Sequence, residues 1–234
     1  MKNLNQYIKE NLSGKKYILT DETKVVNGHT LYRIKAIKSF GDVRDDDLGG
    51  FIEKEDNLSH DGDCWVANNA CVFDNACIFS GAIVHDTAMV YDNAQVENDA
   101  SIRNNAEIYG DAKVYGNAQV YYNAKVYGRA HVGHDAYVYG NAEVYGNANI
   151  DGAPEIYDNA KVYGRAEIGG DAKVYGSAQV YDRAVVSGKA EIYGKAKVYD
   201  KAAVFNKAKV YDNAKVYGNA EVDYDVSGNT KINE

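Results

Sequence analysis

The sequence predicts an all-β fold in which short strands coil around a common axis, and three observations support this. First, from Val66 to Val222 every sixth residue is Val or Ile, at 27 positions in succession and without insertion or deletion. Second, from Ala70 to Ala220 an Ala precedes each of these residues by two positions, except at Pro154. Third, the other hexad positions are rich in Gly, Asn and Asp, which tolerate the left-handed backbone of a tight corner.

The spacing within each hexad distinguishes strand from helix. A period of six fits no multiple of the helical 3.6, whereas two apolar residues separated by one polar residue alternate as in a strand. Each hexad is therefore a short strand followed by a turn. Because one such strand cannot bury its own Val and Ala, the hexads must coil and stack until successive turns cover one another.

Length and charge limit the classes of function. The 234 residues suit one large domain, and the formal net charge of -8 disfavours broad binding to nucleic acid or to an anionic membrane. No apolar run reaches the ~20 residues of a membrane span, and the first residues lack the apolar core of a signal peptide. We therefore expect a cytoplasmic protein with neither a nucleic-acid nor a membrane partner.

The cysteines do not indicate a metal or redox site. Cys64, Cys71 and Cys77 are six or seven residues apart, without CxxC spacing. We expect reduced thiols and no metal.

The repeat resembles that of the hexapeptide-repeat proteins, whose pattern is an aliphatic residue, turn residues, a small residue and a variable one. The resemblance covers residues 64–222 and implies a left-handed parallel β-helix with three hexads per triangular coil, hence about nine coils. The stretch DLGGFIEKEDNLSHDGDCWV and the Tyr-rich hexads are similar to a narrower group, uncharacterised bacterial and prophage proteins often labelled acyltransferases. That label follows fold similarity, which does not establish function.

Three regions follow from this pattern. Residues 1–63 form a predicted N-terminal cap, with a short helix over residues 3–12, a β-hairpin turning at Asn27-Gly28 and an irregular first coil. Residues 64–222 form the β-helix. Residues 223–234 form a capping strand that covers the other open end.

With eighteen residues per coil, the outward positions fall on three faces, numbered in chain order from the hexads of Val66, Val72 and Ile78. On the second face the column after the aliphatic residue is aromatic from Phe73 to Tyr217, and the first face has the same column from Tyr121 to Tyr211. Glu and Lys alternate beside both columns, which places opposite charges on adjacent strands. Stacked ladders that protect the coil edges explain this pattern; an aromatic platform for sugars or a partner protein is the alternative.

The third face departs from the ladder pattern. Between Tyr115 and Phe205 its outward column lacks bulky rings, so a shallow trough should open there. Its predicted lining is His131, Gly133, His134, Asn149, Asp151, Glu167, Gly169 and Ser187. Val185, Ala203 and Phe205 form a small apolar patch beside it. Subunit packing or cover by a terminal segment explains the trough, and a ligand groove is the alternative.

Catalysis is the weaker interpretation. The resemblance implies that an acyltransferase would use a His as general base with acyl-CoA as cofactor, and His131 and His134 are the candidates for that base. The family's enzymes usually carry loops inserted between coils, and none follows residue 64. A zinc enzyme would need a third His, and His29, His60 and His85 read as surface residues. The chain also lacks the Thr-x-Thr ladders of ice-binding β-helices.

The sequence thus favours a non-catalytic scaffold or binding protein without a cofactor, and the resemblance is compatible with a phage origin. An acyl-CoA-dependent acyltransferase is the alternative. We expect a homo-oligomer, a trimer by resemblance to the family, formed through the patch of Val185, Ala203 and Phe205. A further protein or small-molecule partner is compatible with the trough.

Overall fold

The computed structural model describes residues 13–233, so the predicted helix over residues 3–12 lies outside the described residues. The described chain is all-β. It begins with three longer strands, β1 (Tyr17–Val26), β2 (His29–Ala36) and β3 (Leu48–Ile52), followed by one 3-10 turn, Glu55–Asn57. Within residues 13–233, no helix is long and apolar enough to cross a membrane.

The remaining strands of the described chain are two or three residues long and are separated by turns. They are β4 (Trp65–Val66), β5 (Cys71–Val72), β6 (Cys77–Ile78), β7 (Ile83–Val84), β8 (Met89–Val90), β9 (Gln95–Val96), β10 (Ser101–Ile102), β11 (Glu107–Ile108), β12 (Lys113–Val114), β13 (Gln119–Val120), β14 (Lys125–Val126), β15 (His131–Val132), β16 (Tyr137–Val138), β17 (Glu143–Val144), β18 (Asn149–Ile150), β19 (Glu155–Ile156), β20 (Lys161–Val162), β21 (Glu167–Ile168), β22 (Lys173–Val174), β23 (Gln179–Val180), β24 (Val185–Val186), β25 (Glu191–Ile192), β26 (Lys197–Val198), β27 (Ala203–Val204), β28 (Lys209–Val210), β29 (Lys215–Tyr217), β30 (Glu221–Val222) and β31 (Lys231–Asn233).

Short strands that are three positions apart in the chain, such as β5 and β8, pair in parallel with each other. This pairing produces three sheets and a β-solenoid of about ten turns. The first face is the sheet from β4 to β28, the second is the sheet from β1 to β31, and the third is the sheet from β6 to β30. Glu107, for example, pairs with Lys125 one coil later. The predicted β-helix is confirmed. The regular hexads account for about nine coils, and the segments on either side of them extend the solenoid to about ten turns.

The interior contains the repeated aliphatic residues. Each of them from Val66 to Val222 is at most 1% exposed, and so is each repeated Ala from Ala70 to Ala220. Backbone N–H groups donate to the carbonyl groups of the next coil, as Cys71 does to Ala88 at 2.9 Å. The stacked coils thus bury apolar side chains and satisfy the backbone together.

The corners of the coils require a left-handed backbone. From Asn68 to Gly218, the residue two positions after each buried aliphatic has a positive φ, between 53° and 92°. Most of these residues are Gly, Asn or Asp, as predicted. Three are not: Ser80, Tyr122 and His134.

The cap closes the N-terminal end of the second face. The predicted hairpin is confirmed, with Asn27 and Gly28 both at positive φ between β1 and β2. Strand β2 pairs antiparallel with β3, and β3 pairs in parallel with β5, so the hairpin extends the sheet beyond the first coil. The buried Asn57 side chain donates to the carbonyls of Asp74 and Ala76, taking the place of a strand neighbour.

The C-terminal end is covered by the tail. Val226 bridges to Val210 on the first face, and β31 pairs with β29 on the second. The predicted last strand is therefore present at Lys231–Asn233.

Candidate binding site on the third face

Aromatic ladders cover two of the three faces. The rings from Phe73 to Tyr217 on the second face, and from Tyr121 to Tyr211 on the first, stack with neighbouring centroids 4.8–5.1 Å apart and planes within 5°. Arg103 continues the first-face column below Tyr121, with its guanidinium 4.4 Å from the ring centroid.

Charged side chains bind to these ladders along their edges. The carboxylate of Glu143 accepts from the Tyr127 hydroxyl at 3.0 Å and from the Lys161 ammonium at 2.7 Å. Glu155 has the same two kinds of partner, and the Lys173 ammonium lowers the pKa of its carboxyl group. The two faces are therefore ordered surfaces whose polar groups bind one another.

The third face contains a depression instead of a ladder. It has a volume of about 300 Å³, and it brings together six of the predicted residues: Asn149, Asp151, Glu167, Gly169, Val185 and Ser187. Gly169 leaves room, because a Cβ added there would meet only the Asp151 carbonyl oxygen, at 3.7 Å. Backbone and small side chains thus form the floor of the depression, and polar and apolar groups surround it.

Gly133 does not contribute to this depression. It is buried, and a Cβ added there would lie 2.2–2.3 Å from ring carbons of Tyr115. The Tyr115 ring thus covers the space that the missing side chain leaves. The open part of the third face begins at Asp151, two coils beyond Tyr115.

The two histidines have different surroundings. Nδ1 of His134 lies within hydrogen-bond distance of the Asp151 carboxylate, and the His134 ring lies edge-on to Tyr115 at 6.2 Å. His134 also occupies a corner at φ 53°, where Gly, Asn or Asp is usual. His131 is exposed on β15, and its backbone neighbours are Lys113 and Asn149. The two side chains are 65% and 47% exposed in the His134–Asp151 pair, so water reaches both.

The predicted apolar patch is only partly accessible. Val185, Ala203 and Phe205 are each half-buried, and Val185 pairs with Ala203 on adjacent strands. Val185 also lines the depression, so the patch and the depression are continuous.

A second hollow, of about 730 Å³, lies where the cap meets the first face. Leu48 and Ile83 are exposed there beside Trp65. The rim is acidic, with Asp42, Asp47, Asp63 and Asp99. Sequence reasoning missed this hollow. Two signals were available: Ile83 is an apolar residue at an outward position, and the first-face rings begin only at Tyr121.

The remaining histidines and the cysteines are not part of the third-face depression. His29 and His60 are half-buried in the cap, and desolvation lowers the pKa of His60. The three cysteines are free thiols, and burial raises the pKa of Cys64 and Cys71.

Comparison with models of known protein families found no match, and a search among curated proteins found none either. The function is therefore argued from the fold and the site geometry.

Proposed function

We propose that this chain is a non-catalytic binding scaffold that holds a ligand or partner along the third face. The observation that carries the proposal is the interruption of the ladder pattern between Asp151 and Ser187, where a depression replaces stacked rings. Membership of the hexapeptide-repeat proteins, the left-handed sense of winding and a cytoplasmic location belong to the same proposal.

The lining of the depression suits recognition of a polar ligand. Asn149 and Ser187 supply donors and acceptors, Asp151 and Glu167 supply carboxylates, and Val185 supplies an apolar contact. Since these side chains project from a stack of hydrogen-bonded coils, their spacing is set by the fold before a ligand arrives. Such preorganisation lowers the entropic cost of binding.

The openness of the site argues against chemistry. A general base works on a substrate held in a water-excluding pocket, and the regular hexads carry no inserted loop that could close one over His134. The uninterrupted hexads instead favour a rigid binding surface on the third face.

An acyl-CoA-dependent acyltransferase is the second candidate, and the His134–Asp151 pair is the observation that favours it. With Nδ1 bound to a carboxylate, Nε2 is the nitrogen that would take a proton from an acceptor hydroxyl or amine. Under this alternative acyl-CoA would be the cosubstrate.

One substitution tests the depression separately from the rest of the third face. Gly169→Tyr should fill the depression and leave the fold intact, because a Cβ at this position meets only the Asp151 carbonyl oxygen, at ordinary contact distance. Glu97→Tyr is the matched control, because it places the same ring in the same column but outside the depression. Native mass spectrometry of affinity-purified protein should detect a bound ligand or partner with wild type and Glu97→Tyr, and not with Gly169→Tyr. Equal binding by all three proteins would contradict the proposal.

A second assay addresses catalysis directly. Wild type and His134→Ala are incubated with acetyl-CoA and mixed amine and hydroxyl acceptors, and free CoA is measured by chromatography. We expect no CoA release above the protein-free rate. Release that falls about 100-fold or more in His134→Ala would establish the acyltransferase instead.

A further inference from the structure

Three side chains from separate segments converge at the junction of the cap and the first full coil. His29 begins β2, Glu53 follows β3 directly, and Asp74 occupies the corner after β5. One potential ligand atom from each lies within 4.8 Å of the others. All three are half-buried, with side chains 33%, 30% and 30% exposed, so the cluster is partly sheltered and still reached by water.

The cluster places both carboxylates against the His29 ring, each at a different nitrogen. Nε2 of His29 lies 3.5 Å from Oδ1 of Asp74, and Nδ1 lies 3.0 Å from Oε1 of Glu53. Two ligand atoms bound at ~2.1 Å to a tetrahedral ion are about 3.4 Å apart. Because the carboxylates contact different ring nitrogens, binding of one ion requires one carboxylate to rotate toward the nitrogen that the other already contacts. The three ligand atoms lie within 4.8 Å of one another, so this movement is short.

Backbone groups hold the carboxylates in place. The Asp74 N–H donates to Oε2 of Glu53 at 2.7 Å, and the Asp92 N–H donates to Oδ2 of Asp74 at 3.3 Å. In each carboxylate the other oxygen is the one directed at His29. Hydrogen bonds of this kind to the outer atoms of metal ligands fix their orientation and raise affinity.

The ligand types select a class of ion. A neutral imidazole with two carboxylates carries two negative charges, which a divalent cation balances. Imidazole favours Zn²⁺ and its transition-metal neighbours over Ca²⁺ and Mg²⁺, which take oxygen ligands. Three protein ligands leave a fourth position to water.

We propose that His29, Glu53 and Asp74 bind one divalent transition-metal ion, with Zn²⁺ the representative, and that the ion fastens the cap hairpin to the first coil. The site is separate from the third-face depression, because its residues lie on the second face and in the cap. Binding would link the hairpin, the end of β3 and the β5 corner, and so would oppose separation of the cap from the solenoid.

The test uses the full chain after removal of metals with EDTA. Isothermal titration with Zn²⁺ should show one equivalent bound with a dissociation constant in the micromolar range, and Zn²⁺ should raise the melting temperature. Glu53→Gln and Asp74→Asn keep the side-chain shapes and should each weaken binding at least tenfold. His29→Ala should do the same, with circular dichroism used to verify that the solenoid is intact.

Two control variants address other sources of binding. His85→Ala removes a histidine that lies 3.4 Å from one carboxylate, that of Asp86, and should bind Zn²⁺ like wild type. Cys77→Ser removes the most accessible of the three thiols and should also leave binding unchanged. Co²⁺ in place of Zn²⁺ should give visible absorption in wild type that is lost in Asp74→Asn.

Two results would overturn the proposal. One is the absence of binding by wild type at 100-fold excess Zn²⁺, which would make the cluster an ion pair and no more. The other is wild-type affinity in all three ligand variants, which would place any bound zinc elsewhere.

Discussion

Single residues at the corners show how the backbone restricts side-chain choice in this fold. Gly is common there because a Cβ is disfavoured at positive φ, by roughly 1–2 kcal/mol for most residues, and Asn and Asp because their short polar side chains can hydrogen-bond to the local backbone. Tyr122 and His134 occupy such corners at φ 59° and 53°. His134 contacts Asp151 at the edge of the candidate site, so the strain at this corner is consistent with a functional role for its side chain. Tyr122 is 55% exposed and stacks only obliquely on Tyr121, so little compensates its strain.

This difference leads to a prediction about Tyr122. Tyr122→Gly should raise the free energy of unfolding by about 1 kcal/mol, because glycine removes the left-handed strain and little burial is lost. Urea denaturation would measure the change. Tyr137→Gly is the control, since Tyr137 lies within strand β16 and glycine there should lower stability. A loss of stability in Tyr122→Gly would show that the Tyr122 side chain makes contacts that outweigh its backbone strain.

At the scale of the element, each aromatic ladder acts as a unit. The rings shield one another, so burial raises the pKa of most ladder tyrosines; for Tyr181 the value is about 12. Hydroxyls such as that of Tyr127 additionally donate to a glutamate, which also favours the protonated form. The ladders therefore keep their protons at pH values where an unfolded chain, with tyrosine near 10, loses them.

The ladders should make the protein sensitive to alkali. Between about pH 10 and pH 12 the unfolded chain binds fewer protons than the folded chain, so the free energy of unfolding falls as pH rises. Urea denaturation from pH 8 to 11.5 should show this decline, and phenolate absorbance should rise together with loss of the β-sheet circular dichroism signal. Tyr181→Phe keeps the ring and should show a shallower decline with unchanged stability at pH 8. Gradual ionisation near pH 10 with an intact fold would contradict the prediction.

For the whole molecule, the faces differ in how they could contact a second copy. The first and second faces present stacked rings edged by Lys–Glu pairs such as Lys209–Glu191. The third face presents Val185, Ala203 and Phe205 next to the depression. Apolar groups that are half-buried in the free chain favour association, whereas exposed charges oppose desolvation. Self-association through the third face therefore stays our prediction, with a trimer expected from the resemblance to hexapeptide-repeat proteins.

Light scattering with size-exclusion chromatography tests this prediction. Phe205→Glu should reduce the mass of the wild-type oligomer to that of a monomer, because it places a charge in the apolar patch. Phe79→Glu is the matched control, since Phe79 occupies the same column near the opposite end of the face, and it should leave the mass unchanged. A monomeric wild type, or an oligomer that persists in Phe205→Glu, would rule out this interface.

The sequence by itself determined the solenoid, its interior and its ladders. The spacing from Val66 to Val222 assigns every residue to interior, corner or face, because the strand pairings in this region join residues one coil apart and repeat along the chain. The same logic predicted the Asn27-Gly28 turn, which depends on two adjacent residues. A local or periodic interaction can be read from spacing alone.

The tertiary structure decided what the repeat does not encode. The ring of Tyr115 covers Gly133 because of the direction its side chain takes, which spacing does not specify. His29, Glu53 and Asp74 meet because the aperiodic cap folds onto the first coil, and no period relates their positions. The same packing creates the hollow around Leu48 and Ile83. Contacts between an irregular segment and a regular one depend on the shapes of both surfaces, so only the folded chain fixes them.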